Sequence, residues 1–137
     1  MDKNLTYRDH TARYCPGSKL TEDGGIAPTA FHLRKEESYL SVEWLEYLDQ
    51  PSRPDEIKEV INMLSQKLHL GASAKIATLN VGTVCQYVQD VSMFSIRFLH
   101  EPESNDPAHS GIHDTDQDEM MIGELIAEKV ENNYPVK

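Results

Sequence analysis

The segment His100–Glu119, "HEPESNDPAHSGIHDTDQDE", holds three histidines and seven carboxylates and has no Lys or Arg. Within it His109 and His113 stand four residues apart. On a helix that spacing puts two imidazoles on one face, as in a zinc site, and Asp114 or Asp116 could supply a third ligand. Pro107, Ser110 and Gly111 argue against a helix there, so the same residues also read as a solvated polar loop. The acids after His113 do not make an EF-hand. Counted from Asp114, the sixth and twelfth positions hold Glu119 and Leu125, where that loop needs Gly and Glu. These acids suit the N-terminus of the helix that follows.

A second set is dispersed along the chain: Arg13, His100 and His109. An arginine with two histidines can hold a phosphate and move a proton, by charge stabilisation and acid–base action. Tyr39, Ser41 and Trp44 would then add hydroxyls and a stacking ring. Taken singly, Arg13 also reads as a salt-bridge partner and His100 as a strand-end surface residue. His10, Cys15, His32 and Cys85 lack the paired spacing of a zinc knuckle. Cys15 as a nucleophile would need a histidine brought to it by the fold, and Cys85 reads as core. No dinucleotide fingerprint, phosphate loop or nucleophile elbow occurs, so no cofactor is expected.

The elements that must position these residues follow from periodicity. Residues 1–29 read as irregular, with short extended pieces at "ARYC" and "TAFHL". "YLSVEWLEYL" reads as a strand turning into a short helix. "RPDEIKEVINMLSQKLHLG" is the clearest helix. Ser52, Pro54 and Asp55 mark its start, Ile57, Val60, Ile61, Leu64 and Leu68 its stripe, and Gly71 its end. "AKIATLNV" predicts a strand, Gly82 a break and "TVCQYVQD" a short helix. "SMFSIRFLH" predicts a strand with Phe94, Ile96 and Phe98 on one face and His100 at its margin. "DEMMIGELIAEKVENN" predicts a last helix, capped by Asp116 and Glu119, that buries Met121, Leu125 and the Ile122/Ile126/Val130 set.

At 137 residues the chain suits one domain, and 39% hydrophobic with 26% charged residues is a globular composition. A formal net charge of −10 disfavours non-specific binding to nucleic acid or to an anionic membrane. Two cysteines make no disulfide framework, and neither an apolar leader nor a membrane-length apolar run is present, so a reducing cytoplasm is expected.

"ARYC", "AFHLRKEESYLSVEWLEYL" and "HEPESNDPAHSGI" together resemble a group of small uncharacterised bacterial proteins. Their pattern is R-Y-C, A-F-x-L-R, E-x-Y-L-S-V-x-W-L-E and a late D-P-x-H-S-G-I. The resemblance covers the first third and residues 100–112. It implies a bacterial source and a shared fold, and no reaction.

Irregularly mixed strands and helices predict an α+β fold: one domain over residues 1–137, with a small mixed or antiparallel sheet against two main helices. The acidic balance and the lack of a strong catalytic signature favour an interaction or accessory protein with a protein partner. The alternative is an enzyme or binding protein for a phosphate-bearing small ligand, built on Arg13, His100 and His109.

Overall fold

A computed structural model describes residues 3–137. The chain is an α+β domain with a seven-stranded sheet in which every neighbouring pair is antiparallel. The strands are β1 (Lys3–Asn4), β2 (His10–Cys15), β3 (Leu40–Trp44), β4 (Lys75–Asn80), β5 (Arg97–His100), β6 (His109–His113) and β7 (Asn132–Pro135), in the spatial order β1-β5-β6-β3-β2-β4-β7. Three helices complete it: α1 (Arg53–Ser65), α2 (Val81–Ser92) and α3 (Glu119–Glu128).

The sheet has helices on both faces. On one face, Leu40, Val42, Trp44, Leu79, Phe98 and Ile112 pack against α2 and α3 through Val84, Val88, Ile122 and Ile126. On the other, Ala12 and Ile76 pack under α1 through Ile57, Val60 and Leu64. Alternation along the strands explains the division, since successive side chains point to opposite faces. The second core holds no residue of β5 or β6 and none of β3. That half of the face carries Ser41, Glu43, His109, Gly111 and His113, which the register sets side by side through Ser41↔Gly111 and Glu43↔His109. One helix is too narrow to roof the whole sheet, and a polar quarter is left over.

Local signals set the helix ends. The Ser52 hydroxyl accepts from the Asp55 amide at the start of α1, and Asn80 accepts from Thr83 at the start of α2. Asp118, not Asp116, caps α3 by accepting from the Met121 amide. Gly82 does not break the chain; it lies in the first turn of α2. A Cβ there would come within 2.8 Å of the Tyr7 carbonyl oxygen, so glycine serves a close approach.

Several expectations are corrected. The irregular N-terminal segment contains β2, an inner strand. "TAFHL" is mostly a 3-10 turn at Pro28–Phe31, not a strand. α1 ends at Ser65, six residues before Gly71, in a tightened turn where the Lys67 and Leu68 amides both donate to the Leu64 carbonyl. β5 begins at Arg97, so Ile96 and Phe98 are buried but Phe94 only partly. Residues 129–133 leave the last helix, and Asn132–Pro135 pairs with β4 as the edge strand β7, where proline costs no ladder bond. Met121 is 42% exposed and lies off the buried face of α3. "HSGIH" is not a solvated loop. It is β6, paired on both sides, with its first four residues buried.

Gly111 explains why that polar segment enters the sheet. A Cβ there would lie within 2.8 Å of Tyr39 Cε1 and Cγ and closer still to Cδ1. The Tyr39 ring therefore lies flat on the strand, stacked on His113 at 4.8 Å between centroids and 5.9 Å from His109. Gly111→Ala should displace that ring and cost about 1–3 kcal/mol, as overpacking does. Urea denaturation together with the near-UV circular dichroism of the tyrosines checks it; an unchanged midpoint would show that Tyr39 does not roof the strand.

Candidate functional site

β2 and β3 pair only at Thr11↔Trp44 and Ala12↔Glu43. By contrast, β2 pairs with β4 along its whole length, His10 to Cys15. Beyond Ala12 and Glu43 the two strands splay, and the gap is a cleft of about 300 Å³. That is the lower end of the range for small-molecule sites. Arg13, Tyr14, Ser41, Val42 and Glu43 line its walls. Leu64 comes from the end of α1 and Lys67 and Leu68 from the turn after it, Arg34 and Glu37 from the loop before β3, and Glu103 and His109 from the far side.

Arg13 spans the gap. Its Nε donates to the Ala30 carbonyl and its Nη1 to the Ser41 carbonyl, both at 2.7 Å. The Ser41 bond stands in for a ladder bond that the splayed strands do not make, and the Ala30 bond ties Arg13 to the 3-10 turn at Pro28–Phe31. They also fix the planar guanidinium while using two of its five donors. Burial lowers its pKa from the ordinary arginine value, opposed in part by Cys15 and Glu37. Among the described residues no carboxylate lies within 4.0 Å of Arg13 or of Arg34 to form an ion pair. Arg34 is exposed at the rim, beside Glu37, which accepts from its backbone amide.

At the inner end the polar quarter of the sheet becomes a charge cluster. Glu43 and Asp106 are 3% and 0% exposed. Asp106 comes from the loop between β5 and β6, where residues 103–106 close a tight turn. Lys67 Nζ lies 2.9 Å from Asp106 Oδ2 and 3.5 Å from Glu103 Oε1. Burial, then the bond to Asp106 and the Asp106 charge, push the Glu43 carboxyl up to about 9. Burial also acts to raise Asp106, but the hydrogen bonds from Glu43 and Lys67 outweigh it and hold Asp106 below the usual value. For Lys67, burial alone would lower the pKa, yet the bond to Asp106 leaves it raised. At neutral pH the cluster is therefore a protonated Glu43, an anionic Asp106 and a cationic Lys67, the pattern of two close carboxyls that cannot both ionise. Apart from each other, Glu43 Oε1 and Asp106 Oδ1 are buried with no hydrogen-bonding partner among the described residues.

His109 stands beside Glu43 across the strand pair and is 6% exposed. Its Nδ1 lies 2.9 Å from the Glu101 carbonyl oxygen. A carbonyl only accepts, so Nδ1 carries the proton and a neutral ring keeps its lone pair on Nε2.

Of the residues singled out from the sequence, Arg13, Ser41 and His109 meet at this cleft. His100 does not join them. It follows Phe98 on the opposite face, where its ring packs edge-on to Trp44 at 5.1 Å and its Nε2 donates to the Pro107 carbonyl. Trp44 lies on that face too, against Tyr47 and His100, and supplies no stacking ring to the cleft. Tyr39 covers β6 next to His109 without lining the cavity. Nor do His109, His113 and Asp114 form a metal centre. In a strand, residues four apart sit about 13 Å apart. His113 bonds Glu101 through Nε2, and Asp114 pairs with Arg97. Among the described residues no group of three or more His, Cys, Asp or Glu is placed to hold a metal ion.

Glu43, Asp106 and Lys67 were missed. Glu43 sits in "LSVEW" where alternation assigns it to a solvated face, and Asp106 in "NDP" reads as turn chemistry. The usable signal was parity: with Leu40, Val42 and Trp44 buried on one side, a face bearing Ser41 and Glu43 stays wet only if nothing covers it. Comparison with protein-family models, with curated proteins and with solved structures found no match.

Proposed function

We propose that the protein binds a small molecule through an anionic group, phosphate or carboxylate, at the Arg13–Arg34 end of the cleft. The observation that carries this reading is Arg13: a guanidinium fixed by two carbonyls, on a cavity wall, with no carboxylate paired to it among the described residues. Arg13 is half-buried with its guanidinium over the Phe31 ring, 6.0 Å from the centroid, and an arginine fork held in this way suits a planar or tetrahedral anion. Glu43 and His109, an acid and a base side by side, give the same cavity proton-transfer capacity. Both free cysteines, Cys15 and Cys85, have thiols raised by burial to about 11, which suits a reducing bacterial cytoplasm.

Titration calorimetry with inorganic phosphate, glycerol phosphate and succinate tests the reading. At least one probe should bind saturably. Arg34→Ala should weaken that binding by about tenfold, with little change in melting temperature because Arg34 is exposed. The absence of saturable heat from every probe would overturn it.

A second reading, an interaction or accessory protein, has its own observation. Val91, Met93, Met120 and Met121 are all exposed, at 54%, 83%, 76% and 42%. The Gln117–Ser95 and Tyr87–Glu128 bonds run α2 and α3 antiparallel and put these four side chains toward one end of the pair. Exposed methionines adapt to varied apolar surfaces. Analytical ultracentrifugation of wild type against Met93→Lys/Met120→Lys tests whether this end mediates self-association; a monomer in both would leave only the cleft.

A further inference from the structure

Building on the anion-binding reading, we infer that the inner end of the cleft is an ammonium subsite formed by Glu43 with His109, so that the ligand is bipolar, with a positive group beside its anionic one. Three carboxyls converge there, Glu43, Asp106 and Glu103, against the single ammonium of Lys67. Lys67 answers Asp106 and Glu103. The proton on Glu43 stands where a second cation would otherwise be needed. A carboxyl that is 3% exposed, borders a cavity and, among the described residues, bonds nothing but another carboxyl has a more favourable state available, paired as the anion with a cation in the cleft.

The neighbours of Glu43 support the assignment. Ser41 lies two residues away on the same strand and face. Across β6 stands His109, whose Nε2 is the ring nitrogen left to accept an N–H. The loop after β5 brings Asp106 and Glu103, the turn after α1 brings Lys67, and β2 contributes the uncharged Ala12. An ammonium group has three N–H donors. The Glu43 carboxylate and His109 Nε2 take two of them. At the other end Arg13 and Arg34 hold the anion, so opposite charges of cleft and ligand align.

Binding then involves one proton exchange. The ligand enters with its ammonium intact, the Glu43 O–H bond breaks, its electrons stay on the carboxylate and the proton passes to buffer. Protonated site plus cationic group becomes an ion pair plus one released proton.

Calorimetry at pH 7 in two buffers of different ionisation enthalpy, PIPES and Tris, measures that proton directly. The probes are O-phosphoethanolamine and 4-aminobutyrate, each set against its ammonium-free counterpart, inorganic phosphate and succinate. The bipolar probes should bind about tenfold or more tightly and release close to one proton per ligand. Glu43→Gln should abolish both the advantage and the release while phosphate still binds. Equal affinity of bipolar and anionic probes, or bipolar binding without proton release, would overturn the ammonium subsite and leave the anion site standing. If no probe of either kind binds, the anion-binding reading fails as well.

Discussion

Glu43→Gln should be more stable than the wild type at pH 8, by a margin that shrinks steadily toward pH 5. Below its ordinary value of 4.5 the Glu43 carboxyl is protonated in both folded and unfolded chains; above that, the unfolded chain ionises there while the folded one holds its proton up to about 9. Across that window the unfolded state binds fewer protons, so wild-type stability falls as pH rises, by up to about 1.4 kcal/mol per pH unit. Glutamine has no proton to lose, and its amide can still donate to Asp106. Asp106 acts in the opposite sense and elsewhere. Its folded pKa is depressed below 3.8, so its contribution is complete above that value and is lost only as pH falls through the folded one. Urea denaturation of both proteins at whole pH steps from 5 to 9 gives the curve. A margin that does not change with pH would mean that Glu43 is ionised in the folded protein, and the coupled-carboxyl account of the site would fall.

Phe98→Ala should cost about 3–5 kcal/mol. Phe98 is 3% exposed and pairs across the sheet with Ile112, which is fully buried; its carbonyl also accepts from the Leu5 amide and ties β1 to β5. Truncation leaves a cavity bounded by a sheet on one side and α2 and α3 on the other, with little freedom to collapse. The urea midpoint should fall with an unchanged m-value, as expected of a change in stability and not in denatured-state compactness. A loss below about 1 kcal/mol would show that the face is not closely packed around this ring.

The strand and helix content was largely legible because it rests on local alternation and capping. Ile96 and Phe98 are buried as their parity requires, α1 starts at its Ser52 cap, and Trp44 is followed by a short helical turn. His109 shows where local reading stops. Its surroundings in sequence are acids, prolines and small residues, which resemble a loop in every local respect. It is buried because β3 and β5 flank it and Tyr39 lies over Gly111; β5 is its hairpin neighbour, but β3 and Tyr39 lie more than sixty residues away in sequence. The same holds for His100. Its parity with Phe98 is legible in the sequence, but that parity carries it to the face opposite Glu43 and His109, where Trp44 receives it.

Composition, hydrophobic period and capping residues therefore determined by themselves that this chain forms one α+β domain and which side of most strands and helices is apolar. Those are short-range properties: alternation is set by the pleat, and a cap needs only the next three residues. Tertiary structure alone decided the site. Residues 13, 43, 67, 106 and 109 meet because two neighbouring strands part after two pairs, because one helix covers only half of a sheet face, and because a turn at 103–106 folds back over the other half. The charge states were decided there as well. Nothing in "LSVEW" distinguishes Glu43 from a solvated carboxylate. Its proton is held by burial and by a second carboxyl more than sixty residues away in sequence, and only the folded chain brings the two together.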